Sequence, residues 1–178
     1  MWENYNKYMV FKVFLDDPLP KAGFQLREIS RMIKLAPKSV GIYLAELEKE
    51  GLVIRERQKA TGYPVYLANR NNEMFRFYKK LDIVYSIKKG ELLDYLHDKT
   101  TPDVIVLFGS ASRGEDTQES DIDLFVQCSE RKLDLTMFEK LLKRKISILF
   151  GENFKGLSDE LKNNIINGII LKGYLKVF

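Results

Sequence analysis

Two aspartates and a small turn are the residues of this sequence best suited to chemistry. Asp121 and Asp123 lie in the apolar run DIDLFV, and the run GSASRG precedes them from Gly109 onwards. Side chains two apart on a strand point to the same face, so the two carboxylates should lie side by side. Amides of a glycine-serine turn at a helix start bind phosphate oxygens, and paired carboxylates hold Mg²⁺, which bridges to those oxygens. The spacing predicts a site for a divalent metal and a phosphate chain.

Short strands and helices must position these groups. The run VIVLF (104–108) is rich in β-branched residues and predicts a buried strand that ends at the glycine. The next residues predict a helix with Ser110 near its N-terminus, and DIDLFV (121–126) predicts a second strand. A helix over 135–143 and the apolar run within RKISILFGE follow. We therefore expect an α+β protein whose C-terminal part is a small mixed sheet flanked by helices.

The whole motif resembles a known signature. Gly109-Ser110-x-x-Arg113-Gly114, then five residues, then Ser120-Asp121-x-Asp123 is similar to the signature of the DNA polymerase β nucleotidyltransferase superfamily, in particular its smallest free-standing members. The resemblance extends over about residues 92–178 and includes the close NNIINGIILKGYLKVF. It implies transfer of a nucleotidyl group from a nucleoside triphosphate to an acceptor hydroxyl, with release of pyrophosphate.

The resemblance also implies roles for individual residues. The family uses two metals held by three acidic residues, and Asp121 and Asp123 match the first two, as catalytic residues and metal ligands. The implied cofactor is Mg²⁺, with Mn²⁺ as the alternative. The nucleotide-binding positions would be Gly109, Ser110, Arg113, Gly114 and Ser120. Two roles stay open for the arginine: it stabilises charge on the triphosphate, or it ties the turn together by pairing with a nearby carboxylate.

The sequence departs from the family at the third acidic position, which holds Ser147. A serine hydroxyl cannot replace a carboxylate as metal ligand and base at comparable strength. Nucleotide binding could survive this loss, but efficient transfer is not expected. Glu152 is a candidate substitute, although we expect it to be a solvated loop residue.

The N-terminal part has a different pattern. Apolar residues at helical spacing predict helices over 5–15, FQLREISRMIKL and APKSVGIYLAELEKEGL, and alternation around a turn at 61–64 predicts a hairpin. Three helices followed by a basic hairpin resemble a winged helix-turn-helix of bacterial and archaeal transcriptional regulators. In that fold the third helix enters the major groove and the hairpin contacts the backbone. Val40, Leu44 and Leu47 would then face the core.

This second resemblance implies a set of DNA-binding residues. On the third helix these residues are Lys38, Ser39, Ile42 and Tyr43. On the hairpin, which is the wing of this fold, they are Arg55, Arg57 and Lys59. The alternative is a dimerisation or protein-binding module, since Gly41 and Ile42 are poor base readers.

Charge and composition support two modules. Residues 1–70 contain twelve Lys/Arg against eight Asp/Glu, whereas 71–178 contain seventeen of each, so all of the net charge of +4 lies in the first part. A positively charged module favours binding to a polyanion. We expect a winged helix at 1–70, a helical connector at 71–98 and a nucleotidyltransferase-like domain at 99–178. With one cysteine, no signal-peptide pattern and no long apolar run, we expect a cytoplasmic protein without a membrane partner.

Three functions follow from these patterns. The first is a DNA-binding regulator of double-stranded DNA whose second module binds Mg²⁺ and a nucleoside triphosphate. The second is an active nucleotidyltransferase that modifies a protein, a nucleic acid or a small molecule. The third follows from the family resemblance: an antitoxin paired with a helical HEPN-type toxin. A homodimer is a further candidate assembly.

Overall fold

The computed structural model describes residues 4–20, 22–58 and 61–177, and these divide into two compact units. Unit 1 is Met1–Tyr78 and unit 2 is Lys79–Phe178. The division falls inside the long helix α4, Glu73–Lys89, where the sequence suggested a separate connector at 71–98.

Unit 1 consists of three helices, a two-stranded hairpin and the start of α4. Its elements are α1 (Tyr5–Asp16), α2 (Leu26–Ile33), α3 (Pro37–Lys49), β1 (Val53–Arg57) and β2 (Pro64–Ala68). Local signals fix the helix ends. The Asn4 side chain accepts a hydrogen bond from the Lys7 amide, Gln25 and Glu28 form a capping box, and Pro37 occupies the first turn of α3.

The core of unit 1 lies where the helical apolar stripes meet. Val40, Leu44 and Leu47 are fully buried, which confirms the predicted inward face of α3. Phe11 of α1 packs edge-to-face on Phe75 at a ring-centroid distance of 5.7 Å. Burying each such side chain contributes about 1.5–3 kcal/mol, so packing holds these short helices in place.

Unit 2 is built on a four-stranded mixed sheet. Its elements are α5 (Leu92–Thr100), β3 (Val104–Phe108), α6 (Gly109–Arg113), β4 (Ile122–Val126), α7 (Thr136–Leu142), β5 (Ile146–Phe150), a 3₁₀ turn (Phe154–Gly156), α8 (Asp159–Ile166) and β6 (Ile169–Gly173). The strand order is β5-β4-β3-β6, with β3 antiparallel to both neighbours and β4 parallel to β5. The predicted α+β class with a mixed sheet is confirmed.

Both faces of this sheet are covered by side chains. Ile105 and Leu107 of β3 belong to one hydrophobic cluster, whereas Val104 and Val106 belong to another. The alternation follows from the two-residue period of a strand, and it explains why VIVLF is apolar at every position. Packing on both faces thus supports the central strands, next to whose ends Gly109 and Asp121 lie. Within the described ranges, no helix is long and apolar enough to cross a membrane.

Candidate active site

The two carboxylates lie at the start of β4. Asp121 directly precedes the strand and is exposed, Ile122 points into the core, and Asp123 is half-buried. Burial and, next, the charge of Asp121 raise the pKa of Asp123 above its ordinary value, while Arg144 acts in the opposite direction. A bound cation would stabilise a carboxylate whose ionised form is disfavoured by burial and by a neighbouring negative charge.

The turn after β3 lies directly on Asp123. Phe108, the last residue of β3, pairs with Asp123 across the sheet, so the next residue, Gly109, passes over the carboxylate. Gly109 has a φ of +71°, and a Cβ built there would overlap Asp123 Oδ2 and come within 3.2 Å of its Cγ. Glycine is therefore required at position 109 for two reasons, which are the left-handed backbone conformation and the close approach of the Asp123 carboxylate.

Gly109→Ala is expected to weaken metal-dependent nucleotide binding by at least about tenfold, because the new methyl group must push the Asp123 carboxylate aside. Gly62→Ala is the matched control: Gly62 also has a φ of +71°, but a Cβ there meets no atom of the described residues within 4 Å. Both variants should lose about 1–2 kcal/mol of unfolding free energy from the left-handed backbone. Calorimetric titration with Mn²⁺ and ATP should separate them, and equal affinities would contradict the contact with Asp123.

The remaining motif residues lie in and around α6. Gly114 has a φ of +69° and ends α6, and the Ser112 hydroxyl donates to the Gly109 carbonyl at 2.8 Å. Ser110 is the second residue of α6 and half-buried. Arg113 is exposed and its Nε lies 2.9 Å from Glu115 Oε2. This ion pair is the contact that one of its two open roles requires, and a contact of Arg113 with a triphosphate stays a prediction.

Ser120 closes a turn just before the carboxylates. Its hydroxyl oxygen accepts a hydrogen bond from the Thr117 amide at 2.9 Å, and its own amide donates to the Thr117 carbonyl at 3.2 Å. Nucleotide binding by Ser120 stays a prediction, whereas this turn gives the residue a local structural task.

One comparison with known proteins bears on the sheet, the carboxylate pair and the glycine turn. Residues 90–173 match the family Polymerase beta, Nucleotidyltransferase. The match starts two residues before α5 and ends at the last residue of β6, so it contains the whole sheet. The nucleotidyltransferase resemblance read from the motif is thus confirmed for this segment. No curated protein matches the chain.

A neutral side chain, that of Ser147, stands where the resemblance leads us to expect a third carboxylate. Ser147 lies on β5 directly opposite Asp123 in the parallel β4–β5 pairing and is exposed. Glu152 lies in the loop after β5, where it accepts a hydrogen bond from the Ser129 hydroxyl at 3.1 Å. In the part of the chain that the structure describes, no three histidine, cysteine or acidic side chains are grouped as metal ligands. Asp121 and Asp123 stay the predicted metal ligands.

A buried ion cluster behind the pair was missed by the sequence reasoning. Asp116 is 1% exposed, and its Oδ2 lies 3.1 Å from Lys79 Nζ and 2.5 Å from Arg144 Nη1. Asp116 belongs to the five variable residues of the motif, and Arg144 belongs to a basic run that is typical of a solvated surface. Only the polar composition of the gap hinted at Asp116, and the basic run did not set Arg144 apart from its neighbours.

The residues predicted to bind DNA lie on two elements of unit 1. On α3, Lys38 is exposed, Ser39 is half-buried and Ile42 is 54% exposed, while Tyr43 is half-buried against the core. On β1, Arg55 and Arg57 are exposed and line an open cavity of about 460 Å³ along the hairpin. Lys59 lies outside the described residues.

Proposed function

We propose that this protein is a winged-helix DNA-binding regulator. Its nucleotidyltransferase segment binds a nucleoside triphosphate together with Mg²⁺ or Mn²⁺ and transfers the nucleotide weakly or not at all. Nucleotide occupancy then adjusts the affinity for double-stranded DNA. The observation that carries the proposal is the intact Asp121–Asp123 pair beside the Gly109 turn, with Ser147 opposite it.

The donor set fits a hard divalent cation bound jointly with phosphate. Mg²⁺ usually takes one or two carboxylates, several waters and substrate phosphate oxygens, which is what a two-aspartate site can offer. Burial and, next, the charge of the exposed Asp121 raise the pKa of Asp123, so an ion bound between the two carboxylates would offset an unfavourable charge. When bound, such an ion supplies Lewis acidity and neutralises charge on the triphosphate oxygens.

The chain's own residues set the limits of the chemistry. Asp121 and Asp123 hold the ion, and the Gly109 turn keeps the approach to Asp123 open. Removing a proton from an acceptor hydroxyl needs a positioned base, and Ser147 has no carboxylate to offer at the third position. Binding without efficient transfer is the expected result.

The arrangement of unit 1 supports the DNA-binding half of the proposal. Three helices precede a hairpin whose exposed strand carries Arg55 and Arg57, as a winged helix would require. The N-terminal half of α3 exposes Lys38 and Ile42, so its contribution to base readout would be modest. Phosphate contacts from the hairpin should therefore supply much of the affinity.

Arg55→Gln and Arg57→Gln are each expected to weaken DNA binding about equally for all sequences and to lower the salt slope of the affinity by about one. The reason is that each arginine neutralises one phosphate and releases its counterion. Fluorescence anisotropy at several salt concentrations measures both quantities. Lys49→Gln removes one charge from the last turn of α3 and should change neither; an effect as large as that of the wing variants would argue against a specific wing contact.

Coupling between nucleotide and DNA tests the regulator proposal as a whole. DNA affinity is measured by anisotropy with Mn²⁺ alone and with Mn²⁺ and ATP, for the natural chain and for Asp121→Asn. The proposal expects a change with ATP that Asp121→Asn abolishes, and by linkage the same factor should appear in the affinity for ATP measured with and without DNA. Identical DNA affinities in all four samples would refute regulation by nucleotide.

Active transfer is the second candidate, because the family match includes the whole sheet and both aspartates. The acceptor would be a hydroxyl on a protein, a nucleic acid or a small molecule, and a helical HEPN-type toxin is one such partner. Incubation with labelled nucleoside triphosphates distinguishes the two functions. Label that appears on an acceptor and disappears in Asp121→Asn would favour transfer over binding.

A further inference from the structure

The buried carboxylate of Asp116 is shared by two cations. Lys79 Nζ and Arg144 Nη1 both contact its Oδ2, and the three side chains are at most 9% exposed. Its other oxygen, Oδ1, is buried and has no hydrogen-bond partner among the described residues. A buried carboxylate that leaves one oxygen unsatisfied carries a penalty that an apolar side chain would avoid. Stability alone is therefore a poor explanation for this cluster.

The guanidinium of Arg144 also holds the backbone that leads into the carboxylate pair. Its Nε donates to the Ser120 carbonyl at 2.7 Å, and its Nη2 donates to the Asp121 carbonyl at 2.9 Å. A planar guanidinium offers these donors in one fixed geometry, which a lysine ammonium does not. Arg144 thus connects the buried Asp116 to the two residues that immediately precede β4.

The same turn is held by two further hydrogen bonds. The Thr117 amide donates to Ser120 Oγ, and the Ile122 amide donates to the Lys145 carbonyl at 2.8 Å. These bonds and the Arg144 contacts fix the backbone from Asp116 to Ile122, and the directions of the Asp121 and Asp123 side chains follow from that backbone.

We propose that Arg144 and Lys79, acting through Asp116, are positioning residues that hold the Asp121 and Asp123 carboxylates ready for one shared divalent cation. This proposal rests on the metal–nucleotide binding proposed above. Lys79 belongs to α4 and precedes the matched segment 90–173, so the site depends on a residue outside that segment. The general effect is that of supporting residues at metal sites, which orient the ligands without touching the ion.

The test uses two substitutions that keep part of each side chain. Arg144→Lys retains the positive charge and loses the fork to the Ser120 and Asp121 carbonyls, and Lys79→Met retains the apolar stem and loses the charge. Ile165, buried in the other hydrophobic cluster of the sheet, supplies the control. We use Ile165→Val or Ile165→Ala as the control and choose the one whose loss in Tm equals that of the test variant.

The first readout is amide hydrogen exchange, which needs no ligand. The Ser120 and Ile122 amides should exchange at least about tenfold faster in Arg144→Lys, while the Phe125 amide inside β4 stays protected. In the stability-matched Ile165 variant, the exchange rates of the Ser120 and Ile122 amides relative to that of the Phe125 amide should be the same as in the natural chain. Unchanged exchange at Ser120 and Ile122 in Arg144→Lys would overturn the positioning role, whether or not the natural chain binds nucleotide.

The second readout is the affinity for Mn²⁺ in the presence of ATP, measured by calorimetry. Arg144→Lys and Lys79→Met should weaken it by about 10–100-fold, and the Ile165 control should not. Affinities equal to that of the natural chain, with faster exchange, would mean that the cluster stabilises the turn without serving the ligands. Failure of the natural chain to bind Mn²⁺ and ATP would instead refute the proposed function, and the exchange data would still decide the positioning claim.

Discussion

Asp116→Asn is expected to lower the free energy of unfolding by about 3–5 kcal/mol, the range found when one partner of a buried ion pair is removed. The substitution takes away the charge that Lys79 and Arg144 share, at a residue that is 1% exposed. For a chain of this size the corresponding fall in Tm is about 6–20 °C, because each kcal/mol shifts Tm by about 2–4 °C. Thermal unfolding followed by circular dichroism measures it.

The neighbouring residue supplies the control for this prediction. Glu115→Gln removes the same charge one position earlier, where the carboxylate pairs with Arg113 in solvent. Exposed pairs contribute about 0–1 kcal/mol, so Tm should change little. If Asp116→Asn and Glu115→Gln unfolded at the same temperature, the Asp116 charge would not be held in a buried ion pair.

Ser147→Asp is expected to produce the largest gain in activity. The β4–β5 register puts position 147 directly opposite Asp123, so an aspartate there adds a third carboxylate to the pair. A positioned base contributes typically 10²–10⁴-fold to proton transfer, and we expect pyrophosphate release from ATP with Mn²⁺ to rise by at least about 10²-fold. The release assay needs no knowledge of the acceptor, since water can act as one.

The rise in pyrophosphate release should require both the negative charge of the new carboxylate and the existing pair of Asp121 and Asp123. Ser147→Asn has nearly the same shape as Ser147→Asp but no carboxylate, and it should leave the rate of the natural chain unchanged. Adding Asp121→Asn to Ser147→Asp should remove the gain. A rate for Ser147→Asp no higher than that of Ser147→Asn would show that the missing carboxylate is not what limits transfer.

Local patterns were sufficient to predict most elements of the fold. The helical stripe of Val40, Leu44 and Leu47 predicted the buried face of α3, and the apolar run VIVLF predicted a strand covered on both faces. The helix expected over 135–143 is found at Thr136–Leu142. These predictions succeeded because periodicity and turn residues act over a few positions of the chain.

The sequence predicted only part of the site, because local patterns determine only part of it. The two-residue spacing of Asp121 and Asp123 and the glycine at 109 are local features, and the motif fixes their proximity. The role of Asp116 depends on Lys79 and Arg144, which lie 37 and 28 residues away along the chain. No periodicity marks such contacts, since they arise only when α4 and the residues before β5 pack around the turn.

Binding of a metal–nucleoside triphosphate to unit 2 through Asp121 and Asp123 is best tested by calorimetric titration. The whole protein is titrated with ATP, GTP, CTP and UTP, with and without Mg²⁺, beside the double variant Asp121→Asn and Asp123→Asn. We expect binding of at least one nucleotide that requires Mg²⁺ and is lost in the double variant. Absence of binding to all four nucleotides, or binding that persists in the double variant, would refute the proposed site.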